Sequence, residues 1–429
     1  MRSDTNVKQQ ADVCIGKAGT LVGQLIFVKQ GQRENSAFAY DASWLRHAEG
    51  FEVSADLPLL NGHQARKAPS QADSVFHFAL ADSAPDAWGR RVIARAHAKA
   101  RKEGTAGGAL TEFDYLAAVD DFSRIGALRL REPAGHFLRT VEEGKRATPP
   151  LLELEHMYQA SRAVELSKET AEDLRYLQGK GTSLGGMRPK CTVLDENGRL
   201  AIGKFPSVSD TRSVTRGEVL ALRLAALAGI DAAKARIVVL SGTPVALIER
   251  FDRTQDDGRI HYQSAYSMLQ ASREEDRAYT EIADVIRARC TQPTQDVQQL
   301  WRRLVFNLLI TNVDDHLQNH GFLYDGRGMW RLAPAFDVNP FPDKDNESKT
   351  WLSAGTGPID SVQMLLDQAG YFSLSPGQAL EVLREVQHAV SGWRAEATAP
   401  EVGLSHSEVD DFAPAFEHEA AEAARVALR

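Results

Sequence analysis

Three polar residues in the last third of the sequence have the types and order needed for phosphoryl transfer. Asp314 lies five residues before Asn319, and Asp337 follows after two strand-like segments. In this chemistry one aspartate accepts the proton of the attacking hydroxyl, while an asparagine and a later aspartate hold Mg²⁺ against the nucleotide phosphates. Mg²⁺ prefers a small number of hard oxygen ligands. The pattern predicts Asp314 as the general base and Asn319 and Asp337 as metal ligands.

The surrounding elements must bring these residues together. An apolar helix over 301–310 runs into the polar segment 311–319, and residues 321–332 have the pattern of a strand, a tight turn and a second strand. A hairpin between Asn319 and Asp337 would place them at adjacent strand ends. Aspartates and asparagines that follow a helix also serve as turn and cap residues, so that interpretation of Asp314 stays open.

The other polar residues of this run are interpreted as structural. Asp315 is assigned to the turn itself. His316 is interpreted as a residue that braces the loop rather than as a metal ligand. Asn312 is suited either to capping a helix or to bracing the loop, and we favour bracing.

A strand lysine upstream is a candidate for holding nucleotide phosphates. The segment Gly198–Phe205 resembles a Walker loop, but Phe205 replaces the required Ser or Thr and the segment has the pattern of a strand. Protein kinases instead hold the α- and β-phosphates with a lysine on a strand, which is the position of Lys204. The alternative is an ordinary solvated lysine. Glu218, on the next helix, is either a partner of Lys204 or part of a capping box with Thr215.

A glycine-rich basic loop precedes this strand. Gly185 and Gly186 would let backbone N–H groups approach an anion closely, although an ordinary glycine turn is the alternative. Ser183 in the same loop is a candidate phosphate acceptor. Further along, Glu249-Arg-Phe-Asp-Arg253 joins the strand-rich part to the helical part and offers backbone groups to an adenine ring. Its charged residues are otherwise expected to form surface ion pairs of small energetic value.

Composition excludes several classes of protein. The chain has 429 residues with a net charge of −8, from 50 Lys and Arg against 58 Asp and Glu, so we expect DNA contact to be local or made by a partner. The three cysteines form neither a zinc pattern nor a disulfide framework. No apolar stretch approaches the roughly 20 residues of a membrane helix. We therefore expect a soluble cytoplasmic protein.

The pattern of elements predicts an α+β fold with two lobes, a strand-rich N-terminal half and a mostly α-helical C-terminal half. Short strands are expected from about residue 19, with a linker near 131–150. A helix is expected over 216–228 with Gly229 as its stop. Helical periodicity dominates after about residue 265, and the longest C-terminal helices are expected over the following ranges: 281–290, 294–311, 376–397 and 407–428.

The motifs taken together resemble the HipA family of bacterial toxin serine/threonine kinases, which have a protein-kinase-like fold. The C-terminal likeness rests on four motifs in family order: Ser183-x-Gly-Gly-x-x-Pro-Lys190, Glu249-Arg-Phe-Asp-Arg253, Asn312-x-Asp-x-His-x-x-Asn319 and Leu332-x-Pro-x-x-Asp337. The N-terminal likeness rests on four further motifs: Val22-Gly-Gln-Leu, Phe38-Ala-Tyr-Asp41, Asp82-Ser-Ala-Pro-Asp-Ala-Trp-Gly89 and Gly126-Ala-Leu-Arg129. The resemblance implies an N-terminal subdomain over 19–135, an N-lobe-like part over 150–250 and a helical C-lobe over 251–429.

The resemblance also implies residue roles. Asp314 would be the catalytic base, Asn319 and Asp337 would bind Mg²⁺, and Lys204 would contact the ATP phosphates. Glu249 and Phe251 would supply backbone contacts to adenine, beside the hinge residue Asp252. Ser183 would be the autophosphorylated serine, whose modification shuts off ATP binding.

The family's kinases modify translation components such as aminoacyl-tRNA synthetases, which arrests growth and is linked to persistence. They are commonly paired with a HipB-like helix-turn-helix antitoxin that makes most of the operator DNA contacts. Three alternatives stay open for this chain: a small-molecule phosphotransferase, a nucleotide-binding subunit of a repressor complex without catalysis, and a metal-dependent phosphohydrolase. The last would need more His and carboxylate ligands close together than the sequence offers.

Overall fold

The computed structural model describes residues 6–66, 68, 70, 72–133, 135–139, 151–180, 187–344 and 347–429. These residues form two compact units. The first unit draws on Met1–Val208, Asp252–Gln263 and Ser272–Glu274, and the second on Ser209–Phe251, Ser264–Ala271 and Glu275–Arg429. The three-part division expected from the sequence, with boundaries at 135, 150 and 250, stays a prediction.

The first unit mixes strands and helices. Its strands are β1 Val7–Ile15, β2 Thr20–Gln30, β3 Arg33–Tyr40, β4 His63–Ala65, β5 Leu128–Arg131, β6 Lys190–Leu194 and β7 Leu200–Lys204. Its helices are α1 Ala42–Leu45, α2 Phe78–Asp82, α3 Ala87–Lys102, α4 Glu112–Ala118, α5 Leu154–Glu165 and α6 Ala171–Lys180. The first five strands form an antiparallel sheet in the order β4-β3-β2-β1-β5. Strand β1 was not expected, because its first residues are polar and half exposed.

A buried polar network ties the segment after Phe251 to the N-terminal sheet. Asp252 accepts a hydrogen bond from the Gly126 backbone at 2.7 Å, and Arg253 donates to the carbonyl oxygens of Phe122, Gly126 and Arg124. Asp252 is only 4% exposed. The expected surface ion pairs are therefore wrong: these charges are buried because each one is hydrogen-bonded to backbone.

The second unit is mostly helical. Its helices are α7 Val214–Leu227, α8 Ala265–Met268, α9 Tyr279–Arg289, α10 Pro293–Leu309, α11 Val362–Gln368, α12 Pro376–Ser391, α13 Trp393–Thr398, α14 His406–Phe416 and α15 Glu419–Ala427. Its strands are β8 Ala235–Leu240, β9 Thr243–Glu249, β11 Gly321–Gly326, β12 Met329–Leu332, β13 Trp351–Ser353 and β14 Gly357–Pro358. Strand β10 Tyr262–Ser264 lies where the chain passes from the first unit to the second. The pairs β8–β9, β11–β12 and β13–β14 are antiparallel hairpins.

Two long C-terminal helices expected from the sequence are each two helices. The stretch 376–397 breaks at Gly392, which lies between α12 and α13, and the stretch 407–428 breaks at 417–418. Periodicity continues through such breaks because both halves pack an apolar face inward. The expected stop of α7 at Gly229 is confirmed, since Gly229 has a φ of +74°.

The capping box expected at the start of α7 is wrong. The helix begins at Val214, so Thr215 lies inside its first turn, and the Thr215 hydroxyl donates to the Pro244 carbonyl at 3.4 Å. Glu218 is buried in the second unit, at 4% exposed. The chain has the expected α+β architecture, with the longest strands in the N-terminal half and most of the helices in the C-terminal half. Among the described residues, none of the helices has the length and apolar character needed to span a membrane.

Candidate active site

Helix α10 and the β11–β12 hairpin position the polar run that the sequence singles out. The buried apolar face of α10 fixes the helix in the core of the second unit, where the Trp301 indole donates to the Leu365 carbonyl. The helix ends at Leu309 with Ile310 as its C-cap, and Thr311 adopts a left-handed φ of +51° that turns the chain out of the helical direction. Residues 312–316 then form an extended loop before a short 3₁₀ turn, Leu317–Asn319.

Asn312 braces this loop, as expected. Its side-chain amide donates to the Asn307 side chain at 3.0 Å, and its amide oxygen accepts the Asn339 backbone N–H at 3.2 Å. One side chain thus connects α10, the loop and the segment that follows Asp337. Asn312 is 5% exposed, so these bonds are protected from water.

The three residues predicted to do chemistry lie together in the second unit. The Asn319 side-chain amide donates to the Asp314 backbone carbonyl at 2.6 Å. Asn319 and Asp337 line one small cavity of about 20 Å³. Burial lowers the pKa of the His316 ring. The Asp314 and Asp337 carboxylates are both close enough to act in the opposite direction and raise it. The structure therefore places Asp314, Asn319 and Asp337 close together, and their roles in catalysis stay predictions.

The donor set fits a magnesium ion. Because the Asn319 nitrogen is engaged by Asp314, the Asn319 amide oxygen is the atom left for a cation, and Asp337 adds a carboxylate. Mg²⁺ favours a site with two hard protein oxygens, in which water and phosphate oxygens complete the coordination shell. Across the parts of the chain that the structure describes, no group of three or more His, Cys, Asp and Glu is placed to hold a metal.

Asp337 has an unusual backbone. Its φ is +55°, a left-handed conformation that costs energy for most residues but that Asp and Asn tolerate best. The neighbouring backbone is fixed by hydrogen bonds that join Ala335 to Asp231 and to Ala233, and the Phe336 ring packs on Phe251 with centroids 5.4 Å apart. A strained residue held by its surroundings is typical of functional sites.

Asp315 is more than a turn residue. Its side chain is 2% exposed and accepts hydrogen bonds from the Tyr279 hydroxyl and from the Lys349 backbone N–H, the latter at 3.0 Å. Burial raises the pKa of Asp315 to about 6, and the hydrogen bond from Tyr279 opposes that rise. Asp315 thus anchors the 312–316 loop to α9 and to the segment before β13.

Two residues at the site were missed by sequence reasoning. His320 lines the cavity, and burial lowers its pKa to about 3. Neither of its ring nitrogens has a hydrogen-bond partner among the described residues. Lys349 forms an ion pair with Asp314, although 35 residues separate them. No local pattern marks Lys349, because only the fold brings it to the loop.

The remaining predicted residues are placed as follows. Lys204 ends β7 in the first unit opposite Lys190 and is 9% exposed, so the solvated-lysine alternative is wrong. In the second unit, Glu249 ends β9 and donates its backbone N–H to the Lys234 carbonyl at 2.8 Å. Ser183, Gly185 and Gly186 lie outside the described residues.

Comparison with known proteins gives the family. The model of the HipA N-terminal domain matches residues 11–131, and that of the HipA-like C-terminal domain matches residues 182–393, so the matches cover most of the chain. A Shewanella oneidensis HipA structure, solved with HipB and operator DNA, superposes with a TM-score of 0.66 over 95% of both chains at 16% identity, a likeness of fold. The fold and the two family matches are those of a kinase-like protein of the HipA type. The chain belongs to the HipA family.

Two curated relatives are both described as kinases. A Sinorhizobium fredii protein, "Putative kinase Y4mE", is 26% identical over 249 residues, covering 53% of this chain and 53% of that protein. A Haemophilus influenzae protein, "Putative kinase", is 24% identical over 195 residues, covering 39% of this chain and 56% of that protein. The chain therefore spans about half the length of these curated relatives.

Proposed function

We propose that this protein is an ATP- and Mg²⁺-dependent serine/threonine protein kinase of the HipA toxin type. The observation that carries the proposal is the convergence of Asp314, Asn319 and Asp337, in the order that phosphoryl transfer requires. Family membership and the kinase descriptions of the curated relatives support it.

The transfer step assigns one task to each residue. The hydroxyl oxygen of a serine or threonine attacks the γ-phosphorus of ATP, its proton passes to the Asp314 carboxylate, and the bond to the bridging oxygen breaks as ADP leaves. Asn319 and Asp337 would hold Mg²⁺, which when bound neutralises charge on the β- and γ-phosphates. Lys204 is assigned to the ATP phosphates, and the backbone of Glu249 and Phe251 to the adenine ring.

Mass spectrometry tests transfer directly. Protein first stripped of phosphate is incubated with Mg·ATP, wild type beside Asp314→Asn. We expect the wild type alone to gain about 80 Da per phosphate, with one phosphate mapped to Ser183. A wild type that binds Mg·ATP without gaining mass would instead favour a small-molecule phosphotransferase or a nucleotide-binding repressor subunit.

The physiological part of the proposal needs separate experiments. We propose that the target is a translation component such as an aminoacyl-tRNA synthetase, and that its phosphorylation arrests growth. Induced wild type should arrest growth where Asp314→Asn does not, and purified synthetases should accept phosphate only from the wild type. Growth arrest by both proteins would show that toxicity does not depend on phosphate transfer.

We propose a small HipB-like helix-turn-helix protein as partner. The solved relative was crystallised with HipB and operator DNA, and the acidic net charge of this chain fits DNA contact made mainly by a partner. Co-purification of a small DNA-binding protein with the tagged chain tests this. If this chain bound operator DNA equally well without the partner, the proposal of a DNA-binding partner would be contradicted.

A further inference from the structure

The ammonium group of Lys349 contacts the Asp314 carboxylate, the group assigned to receive the proton. We propose that Lys349 is a further catalytic residue of this site. Its ammonium holds the Asp314 side chain in place and contacts the γ-phosphoryl oxygens as the hydroxyl attacks. This role rests on the proposed kinase function.

The backbone of Lys349 is fixed to the catalytic loop. Its N–H donates to the Asp315 carboxylate at 3.0 Å, and the next residue, Thr350, donates its hydroxyl to the Asp315 carbonyl at 2.8 Å. Asp315 and Thr350 are 2% and 4% exposed. Trp351 then donates its N–H to the Arg277 carbonyl at 3.0 Å, at the start of β13. The side chain of Lys349 thus extends from a backbone held by buried contacts with the residue next to Asp314.

The ion pair itself is open to solvent. The Lys349 side chain is 60% exposed and that of Asp314 is 43% exposed. An exposed pair of this kind adds little to stability, so stability is a poor explanation for its presence. The same exposure leaves both groups accessible to a nucleotide and to an acceptor hydroxyl. A buried anchor that carries an exposed charged group is the arrangement expected of a functional side chain.

The chemistry of the step needs a cation at this place. In the transition state, negative charge spreads over the three equatorial oxygens of the transferred group. An ammonium group has three N–H donors, so after one bond to Asp314 two are left for phosphoryl oxygens. A positive charge fixed beside the attacking hydroxyl stabilises the developing charge without reorganisation of solvent.

The experiment compares Lys349→Met, Lys349→Arg and Lys344→Met with wild type. Lys344 is an exposed lysine five residues earlier, and serves as the matched control. We expect Lys349→Met to lower kcat for phosphate transfer by about 10²- to 10³-fold with little change in KM for ATP. Lys349→Arg should recover part of the loss, because the positive charge returns, and Lys344→Met should match wild type.

A binding measurement supplies a readout that does not depend on turnover. Aluminium fluoride with ADP mimics the transferring phosphoryl group, and transition-state mimics report interactions made mainly in the transition state. We expect Lys349→Met to bind ADP as wild type does, and to bind ADP with aluminium fluoride at least about 10-fold more weakly. A purely structural role would weaken both ligands together.

The outcomes separate this inference from the proposed function. An active wild type with Lys349→Met equally active would overturn the role of Lys349 and leave the kinase proposal intact. Faster transfer in Lys349→Met would also overturn it, since the pair would then block Asp314. A wild type that binds neither ADP nor its aluminium fluoride complex overturns the kinase proposal and the role of Lys349 with it.

Discussion

Two lysine–aspartate pairs, one in each unit, use the same chemical groups in opposite environments. In the first unit Lys190 lies 3.2 Å from Asp86, and the two side chains are 4% and 5% exposed. In the second unit Lys349 contacts Asp314, with exposures of 60% and 43%. Asp86 also caps helix α3 by accepting the Gly89 N–H at 2.6 Å.

Burial decides what each pair does. Charges removed from water must be compensated by partners, so the Lys190–Asp86 pair is part of the packing, and loss of one member leaves a buried charge behind. The exposed pair has water as an alternative partner and costs little to break. Because both groups stay open to solvent, a substrate can reach them while they remain in contact. The comparison predicts stability effects in the first unit and transfer effects at the catalytic loop.

The largest effect is expected at Asp337. In Asp337→Asn the new asparagine tolerates the left-handed φ as aspartate does, so the substitution removes only the negative charge. Phosphate transfer should fall by about 10³-fold, or about 4 kcal/mol of transition-state stabilisation, because a neutral amide oxygen replaces the charged oxygen assigned to Mg²⁺. Transfer rates measured across a Mg²⁺ titration test this.

The matched variant is Asp337→Ala, which removes the charge and also strains the backbone. We expect it to lose transfer and also about 1 kcal/mol of stability, while Asp337→Asn keeps wild-type stability. Phosphate transfer at the wild-type rate in Asp337→Asn would contradict the assignment of Asp337 as a metal ligand.

Breaking the buried pair should have the next largest effect. Lys190→Met removes the Lys190 ammonium from the buried Asp86 carboxylate, and we expect about 3 kcal/mol of lost stability. Urea unfolding measures the loss, and hydrogen exchange of the β6–β7 amides localises it to the first unit.

A second substitution sharpens this test. Asp86→Asn keeps a good cap for α3 and removes the charge, so adding it to Lys190→Met should recover much of the stability. The exposed lysine Lys168 provides the control substitution Lys168→Met. Equal losses from Lys168→Met and Lys190→Met would contradict the assignment of Lys190 to packing.

The loop that carries Asp314 was largely predictable from sequence because its information is local. Residues 311–337 contain the end of a helix, the loop and a hairpin, all marked by residue type and spacing. The φ of Gly229 was likewise marked by its residue type. Local patterns of this kind need no knowledge of the rest of the fold.

Burial of charged residues was not predictable, because it depends on distant partners. The alternative that placed Asp252 in a surface ion pair is wrong, since Asp252 bonds to Gly126, 126 residues away. Lys349 reaches Asp314 only through the anchors on Asp315. In both cases the sequence shows a charged residue, and only the fold determines whether that charge is compensated by protein or by water.

The pH dependence of stability tests the anchor beneath the loop. Burial raises the folded-state pKa of Asp315 to about 6, above its usual value near 3.9, so the folded state holds the proton more tightly. The contribution of Asp315 is fully present below about pH 4 and is lost as pH rises through about 6. Wild-type stability relative to Asp315→Asn should therefore fall over this range by on the order of 3 kcal/mol. Urea unfolding of both proteins at several pH values measures it, and a constant difference would contradict the assignment.

The smallest expected effect is the most informative for the comparison. Lys349→Met should change the free energy of unfolding by less than about 0.5 kcal/mol, as should the control Lys344→Met, because the ion pair it breaks is exposed. Urea unfolding at one pH compares the two variants with wild type. A loss near that of Lys190→Met would make the Lys349–Asp314 pair structural and would explain any loss of transfer as damage to the loop. Unchanged stability with lost transfer leaves chemistry as the function of the exposed pair, because the same substitution then removes a charge that the fold does not need.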